Sequence, residues 1–307
     1  KKGDSVLVGQ LIAQAGGFVS ANIHSSVSGT VKAVGEIVMN GLPTMCVTIE
    51  SDGKMEKDPN LAPFKVEKAE DIAEAARQSG LVGLGGAGFP ASVKLTPDSK
   101  KKITTLVVNG AECEPYITAD DSLLRTTPEQ VLKGMQLLAR VLKPDNVVLA
   151  VEDNKQEAIM SLRSLVKKYP GIELRILPTR YPQGSEKQLI QAVTGRQIPS
   201  GKLPVSVGCA VFNVATFAAI FRATYWGVPL TQRIVTISGE TVNMPQNFQV
   251  RIGTSFHDLI AEAGGLTDAT ERVVSGGPMM GFAQSDLAVP VIKATNSILC
   301  LLRDRNG

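Results

Sequence analysis

The pattern of hydrophobic and polar positions changes twice along the chain, and each change predicts a different kind of structure. Over residues 1–55, short apolar runs are separated by glycines, as in strands joined by tight turns. The predicted strands are residues 6–8, 11–12, 31–34 and 45–49. This pattern indicates a small all-β domain, and the polar segment 54–63 with its two prolines is typical of a linker.

From Val66 onward the apolar positions recur at helical spacing until Gly80, with acidic residues near the start, which suits the helix dipole. Strand and helix patterns then alternate. We predict apolar strands over residues 103–108, 147–151 and 172–176. Between them, Thr127 caps a helix with Pro128 in its first turn and Gln130 as the capping-box partner, and Asn154 caps a second helix. Such alternation predicts a Rossmann-like parallel α/β sheet with right-handed crossovers.

Beyond Arg233 the pattern becomes β again. Short strands over residues 234–237 and 250–254 surround a single predicted helix, 256–263, which ends at two glycines. Short strands around one helix indicate a β-grasp domain. The chain is therefore predicted to be multidomain α/β plus β, with domains at 1–55, 64–228 and 229–300.

Composition narrows the class of protein. The chain has 307 residues, 43% of them hydrophobic and 20% charged, with a net charge of +3. This balance argues against a nucleic-acid-binding protein, and we find no apolar run of about 18 residues that would predict a membrane span. The two histidines and four cysteines are far apart in sequence, so we expect no metal site and no disulfide framework. Because the chain begins without methionine and stops in a polar string, residues 303–307, we expect it to be part of a longer protein.

The richest chemical signal is the stretch from Gly83 to Gly88, which matches G-x-G-x-x-G. A dinucleotide-binding fingerprint follows a strand and opens a helix, whereas this stretch follows a helix and precedes Phe89 and Pro90. We therefore predict a loop whose bare backbone N–H groups can approach phosphate oxygens or a flat ring, with Lys94 supplying positive charge. A flexible turn without a ligand is the alternative.

Longer strings around this stretch carry a family resemblance. Residues 80–90, Lys94 and residues 109–115 resemble the flavin loop and acidic loop of the NADH-oxidising flavoprotein subunit of respiratory complex I. Residues 83–90 with 112–121 are more similar to the C subunits of Rnf electron transport complexes. Four further strings resemble the same Rnf proteins, at residues 152–155, 181–184, 213–216 and 276–281.

The resemblance implies a fold, cofactors and partners. It implies a barrel-sandwich hybrid at residues 1–55, an FMN- and NADH-binding domain at 64–228 and a β-grasp domain at 229–300. It also implies two 4Fe–4S clusters in a ferredoxin-like part that this chain lacks. The activity would be electron exchange between NAD(H) and ferredoxin coupled to ion translocation. The partners would be other Rnf subunits, NAD(H) and ferredoxin or a ferredoxin-linked protein, at the cytoplasmic face of the bacterial inner membrane.

Site roles follow from the same resemblance. No side chain is expected to be catalytic, because hydride transfer would be carried out by the flavin. The residues expected at the flavin are Gly83, Gly85, Gly86, Ala87, Gly88, Lys94, Asn109, Glu112, Asn213 and Thr216. Those expected at NADH are Phe89, Glu114 and Glu186.

Some positions depart from the complex I pattern or allow another interpretation. Val82 and Leu84 stand where complex I has arginines, so the positive charge that binds a phosphate would come from Lys94, Lys187 or Lys202. Ala111 stands where complex I has an aspartate. The alternative roles are structural and cover Asn109 in a turn, Glu112 and Glu114 as solvated acids, Phe89 as a core aromatic, Asn213 as a helix N-cap and Cys113 as a small filler.

Two other functions fit parts of the pattern. The cobalamin reductase of propanediol-utilising bacteria is expected to share these front domains. A scaffold that has lost its cofactor and only bridges subunits is the second alternative.

Residues 23–31 resemble half of a biotinyl or lipoyl carrier, but Ser20, Ala21 and Asn22 include no lysine, so the first domain is expected to dock and not to carry a group.

Overall fold

A computed structural model describes residues 1–39, 41–96 and 102–302, so the polar string 303–307 lies outside the described residues. The strands are β1 (Ser5–Val6), β2 (Leu11–Ala13), β3 (Ile23–His24), β4 (Gly29–Met39), β5 (Leu42–Ser51), β6 (Thr105–Gly110), β7 (Asn146–Glu152), β8 (Ile172–Leu177), β9 (Cys209–Asn213), β10 (Gln232–Ser238), β11 (Gln246–Arg251), β12 (Thr270–Ser275), β13 (Phe282–Gln284) and β14 (Ser297–Leu302). The helices are α1 (Ala69–Gln78), α2 (Ala91–Leu95), α3 (Ala119–Thr126), α4 (Pro128–Leu142), α5 (Gln156–Leu165), α6 (Glu186–Thr194), α7 (Val214–Trp226) and α8 (Phe256–Glu262).

The N-terminal unit, which we define as β1 to β5, is all β as predicted. Its strands form a three-stranded sheet in the order β1-β4-β5 and a two-stranded sheet of β2 and β3. The predicted strands at 31–34 and 45–49 lie within a longer antiparallel hairpin formed by β4 and β5. The first strand is shorter than predicted and ends at Val6.

The central unit, β6 to β9 with α1 to α7, is built on a four-stranded parallel sheet in the order β8-β7-β6-β9. Leu106, Val107 and Val108 are fully buried on the inner strand β6, as expected for a strand with helices on both faces. The predicted strand 103–108 is shifted to Thr105–Gly110, so Asn109 lies within the strand near its carboxyl end. It remains at the edge where parallel sheets bind their ligands.

Two predicted helix caps are wrong. Helix α4 starts at Pro128 as expected, but the Thr127 hydroxyl does not cap it and instead donates to the Leu123 carbonyl, because α3 runs directly into α4. Helix α5 has Lys155 at its N-cap position, not Asn154. At α7 the Asn213 side chain accepts a hydrogen bond from the Ala215 N–H, so this helix has the N-cap that was the alternative role of Asn213.

The C-terminal unit, β10 to β14 with α8, contains a five-stranded mixed sheet in the order β11-β10-β14-β12-β13. Strands β10 and β14 are parallel at its centre, and the neighbouring pairs are antiparallel. Phe256 and Ile260 of α8 pack into one core with Val235 and Ile237 of β10. The strand predicted at 250–254 is β11, which starts four residues earlier and ends at Arg251.

The three units meet at the ammonium group of Lys293, a residue of the C-terminal unit that is 8% exposed. Its Nζ donates to the carbonyl oxygens of Asn22 at 2.5 Å and Gly80 at 2.6 Å, which belong to the other two units. Gly80 has a φ of +62°, and a Cβ there would lie 2.1 Å from the Asn22 oxygen. Burial lowers the pKa of Lys293 to about 8. Only glycine fits this junction because backbone and ammonium approach it so closely.

His24 lies beside this junction, 9% exposed, with a buried Nδ1 that has no hydrogen-bond partner in the described residues. Burial and the charge of Lys293 lower the pKa of His24 from 6.5 to about 4. The folded chain therefore keeps His24 neutral where the unfolded chain protonates it. We expect the free energy of unfolding to fall by about 2–3 kcal/mol from this group as the pH drops from 7 to 4.5.

Urea unfolding at both pH values measures this loss. His24→Gln should remove that part of the pH dependence, because it leaves no imidazole to protonate. His257→Gln is the matched control, because His257 is the other histidine and its side chain is 74% exposed. If His24→Gln kept the full pH dependence of the wild type, the assignment to His24 would be wrong.

Candidate functional site

The Gly-rich stretch forms a tight loop between α1 and α2. The Gly83 N–H donates to the Phe89 carbonyl at 2.8 Å, and the Gly88 N–H donates to the Gly83 carbonyl at 3.2 Å. Gly86 and Gly88 have φ values of +110° and +63°, a region that residues with a Cβ rarely adopt. The sequence interpretation as a loop, and not as a strand-to-helix fingerprint, is confirmed.

Leu84 anchors this loop from two sides. Its N–H donates to the Thr216 hydroxyl of α7 at 3.1 Å, and its carbonyl accepts from the Arg233 guanidinium of β10 at 3.1 Å. Its side chain is 2% exposed in the core of the central unit. Beyond it, the N–H groups of Gly85, Gly86 and Ala87 donate to no acceptor in the part of the chain that the structure describes.

Two adjoining cavities lie against the loop, with volumes of about 190 and 110 Å³. Gly85, Asn109 and Asn213 line both of them. Of the other predicted site residues, the larger cavity is lined by Gly83, Ala87, Phe89, Lys94, Glu186 and Thr216. The smaller one is lined by Glu112 and Glu114. Eleven of the thirteen predicted residues therefore line one cleft, whereas Gly86 and Gly88 shape the loop without lining it.

The two asparagines of this cleft use their side-chain amides within the protein. Asn109 donates from Nδ2 to the Gly184 carbonyl at 2.9 Å and accepts the Ala111 N–H at 3.0 Å. Asn213 donates from Nδ2 to Asp120 Oδ2 at 2.5 Å while its Oδ1 caps α7. Each amide keeps one N–H and one lone pair for a further partner.

Lys94 and Glu186 form an ion pair of 2.6 Å, with each side chain more than a third exposed. The Lys94 Nζ also lies 5.4 Å from the centre of the Phe212 ring. Lys187 and Lys202 are exposed and do not line either cavity. Of the lysines that the structure describes, Lys94 is thus the one that lines the cleft, and its charge is shared with Glu186.

Glu112 is held at the start of α3. Its two carboxylate oxygens accept the N–H groups of Asp120 at 2.8 Å and Asp121 at 3.1 Å. The Lys155 Nζ lies 3.8 Å away, and both side chains are less than a tenth exposed. Burial raises the pKa of Glu112, and burial together with the charge of Glu112 raises the pKa of Asp120. The alternative interpretation of Glu112 as a solvated acid is therefore wrong.

Glu114 reaches from the acidic loop to the C-terminal unit. Its Oε2 accepts the Met279 N–H at 3.0 Å, and its Oε1 is buried without a hydrogen-bond partner in the described residues. A Cβ on Gly277 would lie 2.2 Å from Oε2, so a larger residue there would displace the Glu114 carboxylate. Gly277 and Met279 belong to the string at residues 276–281, so this string contacts the acidic loop.

The surroundings of Phe89 and Cys113 decide between the alternative roles of these two residues. Phe89 is 43% exposed at the rim of the cleft, so its alternative as a core aromatic is wrong. The Cys113 sulfur accepts the Gly184 N–H at 3.3 Å, and burial raises the pKa of its thiol, which fits the filler role.

Sequence reasoning did not identify Glu152, Arg233 or Asn296. Glu152 is fully buried at the end of β7, and its Oε2 has no partner among the described residues. Arg233 is 4% exposed behind the loop, and Asn296 lines the smaller cavity. The signal for Glu152 was present, since a carboxylate ends an apolar strand at the ligand edge of the sheet.

Three separate segments of the chain match known protein families. Residues 76–222 match the Nuo51 FMN-binding domain, residues 1–54 match the RnfC barrel sandwich hybrid domain, and residues 234–283 match the SLBB domain. The C subunit of the proton-translocating ferredoxin:NAD(+) oxidoreductase complex of Clostridium ljungdahlii is 43% identical over 310 residues, which is 99% of this chain and 67% of that relative. The chain belongs to the RnfC family.

Two further Rnf proteins show how much of the family's length is present. The C subunit of the Na(+)-translocating complex of Acetobacterium woodii is 43% identical over 99% of this chain and 70% of its own length. The C subunit of the ion-translocating oxidoreductase complex of Pseudomonas aeruginosa is 46% identical over 97% of this chain but only 39% of its own length. These relatives therefore contain sequence that this chain does not match.

Among solved structures, the NAD+-reducing NiFe hydrogenase in its H2-reduced state superposes with a TM-score of 0.65 over 76% of this chain and 47% of the hydrogenase chain. The identity is 23%, so this likeness shows a shared fold.

Within residues 1–39, 41–96 and 102–302, no helix has the length and apolar character that crossing a membrane requires. In the same residues no group of three His, Cys, Asp or Glu side chains is arranged to hold a metal ion.

Proposed function

We propose that this RnfC chain binds FMN against the Gly83–Gly88 loop and NADH beside Glu114, and that it exchanges electrons between NAD(H) and ferredoxin in an ion-translocating complex. The observation that carries the proposal is the row of N–H groups at Gly85, Gly86 and Ala87, which have no acceptor among the described residues and lie beside a cleft that the predicted residues line. These three residues are exposed, so water can accept from their N–H groups in the free chain, and a phosphate or the edge of a flavin can take the place of that water.

The chemistry of the cleft fits FMN. Gly85 lines both cavities. A Cβ at this position would lie 3.4 Å from the Asn213 side chain, so any larger residue would reduce the space for a flat ring. Lys94 and the loop N–H groups supply donors for a phosphate. Asn109 and Asn213 each retain a donor and an acceptor for the polar edge of the flavin.

Glu114 fits a nicotinamide nucleotide. Its Oε1 is buried without a partner in residues 1–39, 41–96 and 102–302, and a carboxylate oxygen accepts hydrogen bonds from a ribose hydroxyl or a carboxamide. Phe89 at the rim provides an exposed ring that can stack on a base or the nicotinamide. Glu186 lines the larger cavity and forms an ion pair with Lys94 there.

When bound, FMN supplies hydride acceptance and single-electron release. The chain's own residues position the two ligands, and none of them has to exchange a proton with NADH.

We also propose that the full-length protein carries two 4Fe–4S clusters in sequence outside this chain. Its partners would then be the other Rnf subunits and ferredoxin, at the cytoplasmic face of the membrane. The boundaries 1–55, 64–228 and 229–300 and the β-grasp assignment remain proposals, supported by the separate sheets of the three units.

A spectroscopic titration tests this function. The 307-residue chain loaded with FMN should lose the visible flavin band when NADH is added without oxygen, and the band should return with air or a dye. Glu114→Ala should weaken NADH roughly tenfold to a hundredfold while FMN stays bound, because one hydrogen bond to the nucleotide is lost.

Glu129→Ala is the control, since Glu129 is an exposed residue in the first turn of α4. Loss of both ligands in Glu114→Ala, or of neither, would contradict the division of roles. A folded wild-type chain with no affinity for FMN would favour the cofactor-free scaffold instead.

A further inference from the structure

The C-terminal unit approaches the Gly-rich loop through one buried cation, Arg233. Its guanidinium donates to the Leu84 carbonyl at 3.1 Å, to the Lys293 carbonyl and to the Ile234 carbonyl at 3.2 Å. Arg233 is therefore tied to its own unit by two bonds and to the loop of the central unit by the third. The planar guanidinium suits this task because its donors point in fixed directions.

A segment of the same unit lies along the loop. A Cβ built on Gly88 would lie 3.2 Å from the Ala294 methyl, and one on Gly86 would lie 3.8 Å from Asn296 Nδ2. Asn296 also lines the smaller cavity together with Glu112, Glu114 and Asp120. The C-terminal unit thus forms one wall of the cleft.

Nearby carboxylates offset part of the cost of burying Arg233. Asp120 of α3 and Glu112 of the acidic loop attract the guanidinium, and this attraction opposes the effect of burial, which lowers the pKa of Arg233 to about 10. Asp120 is in turn bonded to Asn213, a predicted flavin residue. The guanidinium therefore belongs to the charge network of the site.

We propose that Arg233 is a positioning residue for the flavin. By holding the Leu84 carbonyl, with Thr216 holding its N–H, Arg233 fixes the direction in which Gly85, Gly86 and Ala87 present their N–H groups. The C-terminal unit is then part of the cofactor site and not a separate docking module. This inference rests on the proposed binding of FMN.

Three variants of the 307-residue chain test the proposal. Arg233→Gln should weaken FMN about tenfold to a hundredfold, because a charged hydrogen bond to the loop is lost. Arg233→Lys should recover much of that affinity. Arg251→Gln is the matched control, because Arg251 also donates across a unit boundary, but to the Ser26 carbonyl of the N-terminal unit at 2.7 Å and not to the loop. Flavin fluorescence quenching measures the dissociation constant, and the visible band shape of bound flavin reports its polar contacts.

A purely structural role would lower the melting temperature in Arg233→Gln and Arg251→Gln alike and leave the band shape unchanged. That result, or unchanged FMN affinity in folded Arg233→Gln, would overturn the proposal. If Arg233→Gln does not fold, Arg233→Met removes the same donors with a long apolar side chain, and unchanged affinity in that variant would also overturn the proposal. A wild-type chain that binds no FMN would contradict the proposed function, whereas a wild type that binds FMN with all variants unaffected would contradict only this inference.

Discussion

Replacing Gly85 with valine is expected to weaken FMN binding by at least about a hundredfold while the chain stays folded. Gly85 lies outside the left-handed region of φ, so a side chain is compatible with its backbone. Its Cβ would touch the Asn213 side chain at 3.4 Å, and the two further methyl groups of valine would extend toward Asn213 and the cleft that both cavities share. The loop could then no longer bring its backbone close to the flavin. Fluorescence quenching with FMN measures the effect.

Gly35→Val is the matched control for this variant. Gly35 is exposed on β4, also lies outside the left-handed region, and has no atom within 4 Å of the position that a Cβ would take. Gly86→Val would be a poorer test, because the φ of +110° at Gly86 strains any side chain whatever the ligand. Full flavin occupancy in a folded Gly85→Val chain would mean that the loop does not bind FMN.

Replacing Glu112 with alanine is expected to lower the free energy of unfolding by about 2–4 kcal/mol. Two N–H groups at the start of α3 would lose their acceptor, and the buried Lys155 ammonium would lose its nearby carboxylate. The gain from removing repulsion between Glu112 and Asp120 offsets only part of this loss. Urea unfolding of the flavin-free chain at pH 7 measures the difference.

Glu157→Ala provides the comparison for Glu112. Glu157 pairs with Arg125 at the surface, where its side chain is 71% exposed, so its loss should cost less than about 1 kcal/mol. A Glu112→Ala chain as stable as Glu157→Ala would show that the helix contacts contribute little. Glu112 would then be retained for its ligand alone, as the family resemblance by itself implies.

The cleft is assembled from two units of the chain. The central unit supplies the loop, the two asparagines and the acidic residues. The C-terminal unit supplies Arg233, Asn296 and the Met279 N–H that Glu114 binds. Movement of one unit relative to the other would therefore change the hydrogen bonds of the cleft directly.

The sequence alone determined the local features of this protein. Its apolar periods predicted three of the four strands in the parallel sheet of the central unit, because a strand buried on both faces requires a continuous run such as residues 147–151, whereas β9 was not predicted. The position of Phe89 and Pro90 showed that the Gly-rich stretch is a loop. Family-specific strings selected the residues of the cleft, and eleven of those thirteen line its cavities.

Only the tertiary structure decided which partners those residues have. Glu112 caps a helix that begins seven residues later, and Asn109 bonds to Gly184, which is 75 residues away in sequence. Arg233 and Asn296 come from a unit whose sequence shows no sign of contact with the loop, because local patterns carry no information on how separate units pack. The predicted Thr127 cap failed for a related reason: α3 leads directly into α4, and the Thr127 hydroxyl is oriented toward the Leu123 carbonyl of the preceding helix, an arrangement that exists only once both helices are in place.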